Sequence, residues 1–175
     1  MLYAGVNNVA ILDGGYEKWV TDGKPVSTDP VTLKPVTYKG IVRKGMFVNI
    51  NYVADAIGKS TIVDARDPEV YNCLYTEPWC TEPGHIPMAV NLPTPSLWNI
   101  GDDYITYKDY RTLKGLAEDV VGKNKWKEVI VYCGVGGYAS TAYFVLREVL
   151  GYVNVKVYDG SAQEWTHAGM PVECS

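Results

Sequence analysis

Apolar residues along this chain fall into short blocks whose spacing alternates between continuous runs and a helical period. Val129 to Tyr132 is an unbroken apolar run, β-branched at three positions and aromatic at the fourth, the pattern of a buried strand. From about Ala139 a helical pattern runs through Phe144, Val145 and Leu146 to Leu150. Between the two lie Cys133, Gly134, Val135, Gly136, Gly137 and Tyr138. Similar patterns predict a short strand at Lys44 to Asn49 and a strand at Thr61 to Ala65 that ends in Asp64-Ala65-Arg66. Further strands are predicted at Ala89 to Leu92 and Val155 to Tyr158. A short helix is predicted at Asn51 to Ile57, with Asn51 as N-cap and Gly58 as the stop. A longer helix is predicted from Thr106 to Val121, starting near Thr106 or Asp109 and stopping at Gly122. Residues 72–84 read as a long loop rich in Pro, Trp and Cys. Strands alternating with helices imply an α/β fold of parallel βαβ units with right-handed crossovers.

Two stretches resemble each other. Residues 8–26 read NVAILDGGYEKWVTDGKPV and residues 154–172 read NVKVYDGSAQEWTHAGMPV. At an offset of 146, Asn8, Asp13, Gly14, Glu17, Trp19, Gly23 and Pro25 recur as Asn154, Asp159, Gly160, Glu164, Trp165, Gly169 and Pro171. Each reads as a last strand, an Asp-Gly turn, a short helix carrying a core Trp and a Gly-x-Pro exit. The second copy closes a complete domain, expected at residues 41–175. Residues 1–28 are expected to be the closing segment of a preceding, truncated repeat, joined by a Pro-containing extended linker at 29–40.

Composition narrows the function classes. The 175 residues are 47% hydrophobic and 21% charged, which supports a packed core. A net charge of −4 supplies no field to draw nucleic acid or an anionic membrane, and no apolar run reaches spanning length. The compartment stays open between cytoplasm and periplasm. The cysteines are Cys73, Cys80, Cys133 and Cys174. None forms a Cys-x-x-Cys pair, and the two histidines lack ligand spacing to them, so neither a metal site nor a cofactor is expected. Cys73 and Cys80 flank the long loop and could close a disulfide in an oxidising compartment; Cys174 reads as a bystander.

The chemistry concentrates at Cys133. It lies at the carboxyl end of a strand, where ligands bind in open α/β sheets. Glycines after it let the backbone curl, so that amides can point at one atom, and the following helix adds partial positive charge. Both effects favour a thiolate, the reactive form. A buried, inert cysteine ending a core strand is the competing reading, and the glycines argue against it.

Ile62-Val63-Asp64-Ala65-Arg66, Glu82-Pro83-Gly84-His85-Ile86-Pro87-x-Ala89-Val90-Asn91-Leu92-Pro93, Val131-Tyr132-Cys133-Gly134-x-Gly136 and Tyr158-Asp159-Gly160 with Trp165 together resemble the rhodanese (sulfurtransferase) family, in its order and spacing. The resemblance implies a small parallel sheet with helices on both faces. It implies that Cys133 takes a sulfane sulfur from a donor such as thiosulfate, 3-mercaptopyruvate or polysulfide, carries it as a persulfide, and passes it to a thiol or to cyanide. The backbone of Gly134, Val135, Gly136, Gly137, Tyr138 and Ala139 would cradle the sulfur. The preceding rhodanese repeat would be its partner in the chain.

The loop departs from the pattern of thiosulfate-using relatives, which carry Arg or Lys there. Gly134 to Tyr138 holds no cation, and Val70 stands about where another Arg is usual. The pattern is nearer the mercaptopyruvate branch, but with Val135 in place of a hydroxyl residue. A dianionic donor would then meet mainly amides and Arg66, which tilts the expectation toward less charged donors. Arg66 has two readings, substrate contact or structural pairing with Asp64, and the second is favoured. His85 likewise lies near the site or serves as a structural histidine. Tyr138 donates to substrate or shapes the rim. Ser140 and Thr141 read as helix N-caps and Trp19 and Trp165 as core. The arginine that cysteine phosphatases place six residues after their nucleophile is replaced by Ala139, which argues against that class. The alternative to an enzyme is a catalytically silent binding or scaffold domain.

Overall fold

Five short strands form one all-parallel sheet. The computed structural model describes residues 1–174, and along the chain its strands are β1 (Phe47–Val48), β2 (Thr61–Asp64), β3 (Val90–Asn91), β4 (Trp98–Ile100), β5 (Ile105–Tyr107), β6 (Val129–Tyr132) and β7 (Val155–Tyr158). All but β4 and β5 join the parallel sheet in the order β1-β7-β6-β2-β3. The helices are α1 (Gly15–Thr21), α2 (Ile50–Ala56), α3 (Pro68–Tyr71), α4 (Tyr110–Val121), α5 (Gly137–Phe144) and α6 (Ser161–His167).

The central strand, β6, is buried along its whole length, as a continuous apolar run requires in a sheet covered on both faces. Alternation sends its side chains to opposite sides. Ile130 and Tyr132 join Ile62, Tyr158, Val53 and Ala56 of α2, and Ala162 and Trp165 of α6, in one cluster. Val131 and its neighbours face the other way, and α5 packs against β6 and β7. Register pairs Asp64 of β2 with Tyr132 of β6, which sets two polar side chains together at the carboxyl edge of the sheet.

The chain divides into two compact units. Met1–Lys44 and Trp98–Tyr107 form one; Gly45–Leu97 and the chain from Lys108 form the other, which contains the parallel sheet. Within the first unit β4 and β5 pair antiparallel, and Asp13 accepts from the Tyr107 amide at 2.9 Å. Trp19 on α1 donates to the Pro25 carbonyl at 2.9 Å. In the second unit Trp165 on α6 donates to the Pro171 carbonyl at 2.8 Å. Trp165 is core, but Trp19 is 36% exposed, contrary to expectation, because α1 buries none of its residues. Residues 24–43 have no regular secondary structure.

Several predicted boundaries move for local reasons. α2 is capped by Asn49, whose side chain accepts from the Tyr52 amide at 3.0 Å, rather than by Asn51. α4 starts at Tyr110, capped by Asp109; Thr106 lies in β5, where a β-branched residue is at home. α5 begins at Gly137 and continues into a wider π-helical turn at Val145–Val149. Its N-cap is Gly136, and the Ser140 hydroxyl donates back to the Gly137 carbonyl at 2.7 Å, so Ser140 is not a cap.

The disulfide differs from the expected pairing. Cys73 bonds Cys174, with their Cα atoms 5.6 Å apart, and Cys80 is a free thiol. The chain following β7 returns to pair Glu173 with His85, which delivers Cys174 beside the end of α3. Cys80 turns away instead, and its neighbour Thr81 bonds Thr166 of α6 through both amide and hydroxyl.

Candidate active site

Cys133 leaves the end of β6 with only 3% of its surface exposed. The chain then turns through Gly136, whose φ of 94° is left-handed and suits glycine. This turn aims the Gly136 amide at Cys133 Sγ, 3.1 Å away, and α5 starts at the next residue. A negative sulfur there would be held by an amide donor and faced by a helix N-terminus.

The loop is held from below by α6. Free amides at its first turn donate to the loop: Ala162 to the Cys133 carbonyl at 2.9 Å and Gln163 to the Gly134 carbonyl at 3.0 Å. Ser161, fully buried at a φ of 54°, accepts from the Cys133 amide at 3.2 Å and donates to the Tyr158 carbonyl at 3.0 Å. The Asp-Gly turn that the sequence marks as a domain-closing signal, with Ser161 after it, therefore sets the position of Cys133, a role its pattern did not disclose.

Sγ opens onto a cavity of about 400 Å³. Its floor is Cys133, Gly134, Val135 and Gly137. Tyr138, Asp67, and Glu77 and Trp79 of the long loop also line the cavity. A Cβ built on Gly134 would lie 2.5 Å from both Glu77 Oε2 and Trp79 Nε1. The second residue of the cysteine loop must therefore be glycine for the long loop to close over it. Trp79 donates a side-chain hydrogen bond to Glu77. Burial raises the pKa of the Glu77 carboxyl, although Arg66 opposes the shift. Burial also raises the Tyr138 phenol, and nearby Asp67, Cys133 and Glu77 add to that effect.

Arg66 is not at the cavity wall. Its guanidinium grips Asp64 through Nε at 3.0 Å and Nη2 at 2.6 Å, donates to the Gly84 carbonyl at 2.8 Å and reaches Glu77 through Nη1 at 3.4 Å. Burial works against its charge, and the Asp64 pairing outweighs burial and raises its pKa. Tyr132 completes the cluster, donating to Asp64 at 2.7 Å and accepting from the Ile86 amide at 3.0 Å. His85 is also away from the wall. Its Nδ1 lies 2.8 Å from the Tyr71 carbonyl, and its ring stacks on Tyr71 at 3.9 Å. Val135 is half exposed on the loop, whereas Ala139 is buried within α5. Among the described residues, no group of His, Cys, Asp and Glu is placed to hold a metal ion.

Glu77, Trp79 and Asp67 are the wall residues that sequence reasoning missed. The only signal was a long loop following Asp-Ala-Arg, and its length alone could not say which side chains turn inward.

A buried cysteine on a glycine turn between the central strand and a helix defines a cysteine-loop α/β domain. The model of the Rhodanese-like domain matches residues 49–168, and the chain belongs to the rhodanese family. It is 37% identical over 175 residues to a putative thiosulfate sulfurtransferase of Mycobacterium leprae, covering 95% of this chain and 62% of that protein. It is 33% identical to a putative thiosulfate sulfurtransferase of Synechococcus elongatus, covering 97% of this chain and 54% of that one. The chain thus spans just over half the length of these relatives. Among solved structures it is similar to a variant of EanB in complex with ergothioneine covalently linked with a persulfide cysteine, at a TM-score of 0.83 and 26% identity, covering 99% of this chain and 43% of that one.

Proposed function

We propose that this chain carries a sulfurtransferase centre, in which Cys133 accepts a sulfane sulfur and passes it on. The observation that carries this reading is the Gly136 amide 3.1 Å from Cys133 Sγ, at the floor of an open cavity. A donor enters the cavity and the Cys133 thiolate attacks its outer sulfur. The donor's S–S or S–C bond breaks, the donor fragment leaves with the electron pair, and Cys133–S–S⁻ remains. The displaced sulfur lies near the Gly136 amide and the start of α5, which favour its negative charge. An acceptor thiolate then attacks the outer sulfur and regenerates the Cys133 thiolate. The names of the relatives and the persulfide cysteine of the solved one support this chemistry.

The donor class follows from the wall. Among the described residues, those lining the cavity include two carboxylates and no cation, and Arg66 is engaged with Asp64 and Gly84. Thiosulfate, whose two charges sit in a compact anion, is disfavoured relative to polysulfides, whose charge is spread along a sulfur chain, or the singly charged persulfide of another molecule. Residues 1–28 we read as the closing segment of a second rhodanese-like unit. The Trp19-to-Pro25 bond, which matches Trp165-to-Pro171, supports that reading.

The test is intact mass after incubation with thiosulfate, 3-mercaptopyruvate and inorganic polysulfide. A one-sulfur adduct, strongest with polysulfide and absent in Cys133→Ser, is expected. The missing cation favours one competing reading, a silent binding domain, and the absence of any adduct across the panel would establish it.

A further inference from the structure

We propose that the Cys133 cavity selects positively charged sulfur acceptors over anionic ones, and that Glu77 is the residue that sets this preference. The inference rests on the persulfide reading above and names the acceptor class that reading leaves open.

The charges around the sulfur do not balance. Asp64 and Arg66 cancel in a bidentate pair. Glu77 receives only the remaining Nη1 at 3.4 Å and the Trp79 indole. Asp67 lines the same cavity and makes no side-chain capping bond to α3. A persulfide anion on Cys133 adds a further negative charge to this partly buried space, where charges act more strongly than in water. An anionic acceptor must approach against all three. A cationic one is drawn in by the same groups. Trp79 and Tyr138 line the same space and offer aromatic rings, which attract ammonium groups.

Glu77 is placed to set the preference because its position is fixed. Arg66, Trp79 and the bare Cα of Gly134 hold the carboxylate directly over the residue that follows the nucleophile. An acceptor thiolate tethered to an ammonium group would bring the cation into the cavity that Glu77 and Asp67 line while its sulfur meets the persulfide. In the transfer, the acceptor thiolate forms a bond to the outer sulfur. The Cys133 S–S bond breaks, and the electron pair stays on Cys133 as the thiolate. The acceptor leaves as its own persulfide, and no further oxidant or reductant is needed.

Three small thiols of similar size and different charge test the proposal: cysteamine, 2-mercaptoethanol and mercaptoacetate. The protein is first loaded with polysulfide and freed of excess. Loss of the one-sulfur adduct is then followed by intact mass, at matched thiolate concentrations and low salt. Cysteamine is expected to discharge the persulfide at least about fivefold faster than mercaptoacetate, with 2-mercaptoethanol between them. Added salt and Glu77→Gln should each shrink that ratio to below about twofold. Equal rates, or a faster anion, would overturn the proposal.

A second arm does not depend on sulfur loading. In Cys133→Ser, tetramethylammonium should saturably shift the Trp79 indole N–H resonance, an isosteric carboxylate should not, and Glu77→Gln should weaken the cation's effect. If no adduct forms, the sulfurtransferase reading falls while this arm still decides the charge preference. If the adduct forms but neither arm favours the cation, only the present proposal falls.

Discussion

Glu77 and Gly134 meet so closely that a single methyl group on Gly134 would lie 2.5 Å from the Glu77 carboxylate. The long loop and the cysteine loop are therefore fitted to each other. Gly134→Ala should push Glu77 and Trp79 away from Cys133. Overpacking of this kind costs about 1–3 kcal/mol. Displacing the roof should slow sulfur loading of Cys133 on the order of tenfold. Urea denaturation with intact-mass kinetics checks both, and unchanged loading would show that the two loops act independently.

Asp64→Asn should be far more damaging than its exposure to substrate suggests. It leaves the buried Arg66 guanidinium without its charged bidentate partner and leaves one acceptor oxygen to serve both Arg66 and Tyr132. Breaking a buried pair in this way costs about 3–5 kcal/mol. Chemical denaturation should show that loss, and Arg66→Met should be milder than Asp64→Asn because no charge is then stranded.

Ser161→Ala removes the hydroxyl that joins the Cys133 amide to the Tyr158 carbonyl in a fully buried setting. Leaving two backbone groups unpaired should cost about 1–3 kcal/mol. The Cys133 amide should exchange with solvent measurably faster, which hydrogen exchange at that residue reads directly.

Glu77 gives the stability a pH dependence of definite sign. Its folded pKa is raised, so the folded chain binds this proton more readily than the unfolded chain does. Stability from this group is present below the ordinary carboxylate range and is lost as pH rises through the raised value. The stability of the parent protein minus that of Glu77→Gln should therefore fall as pH rises above the ordinary carboxylate range. A flat difference across urea titrations over that rise would refute the assignment.

Cys174→Ser opens the ring between Cys73 and Cys174, a separation of 101 residues. Loss of a native disulfide of this span should cost about 2–5 kcal/mol. Reductant should lower the stability of the parent protein to about that of the variant and leave the variant unchanged.

Legibility in the sequence followed the range of the physical signal. β6 and β7 occupy their predicted positions because continuous β-branched runs have few alternatives. The Cys133 turn was legible because a left-handed residue at Gly136 demands glycine. Position 106 misled because Thr106, like Asp109, reads as a helix start, while pairing across the hairpin decides its state. The Cys73–Cys174 pair and the inward turn of Glu77 were not legible. Both depend on segments that are distant in the chain and brought together only by the folded sheet. Arg66 was read correctly as a partner of Asp64 from two-residue proximity, whereas its further reach to Glu77 required the loop.

The disulfide has a consequence for assembly order. It closes residues 73–174 into a covalent ring that contains both β3 and β6. β2 lies outside that ring, yet it pairs with β6 on one side and β3 on the other. Oxidation before the sheet forms would oblige β2 to slip between two strands of an already closed loop. Oxidation afterwards simply locks a finished order. Folding with the thiols reduced and the bridge closed last is the unobstructed route, so the timing of oxidation should set the refolding yield.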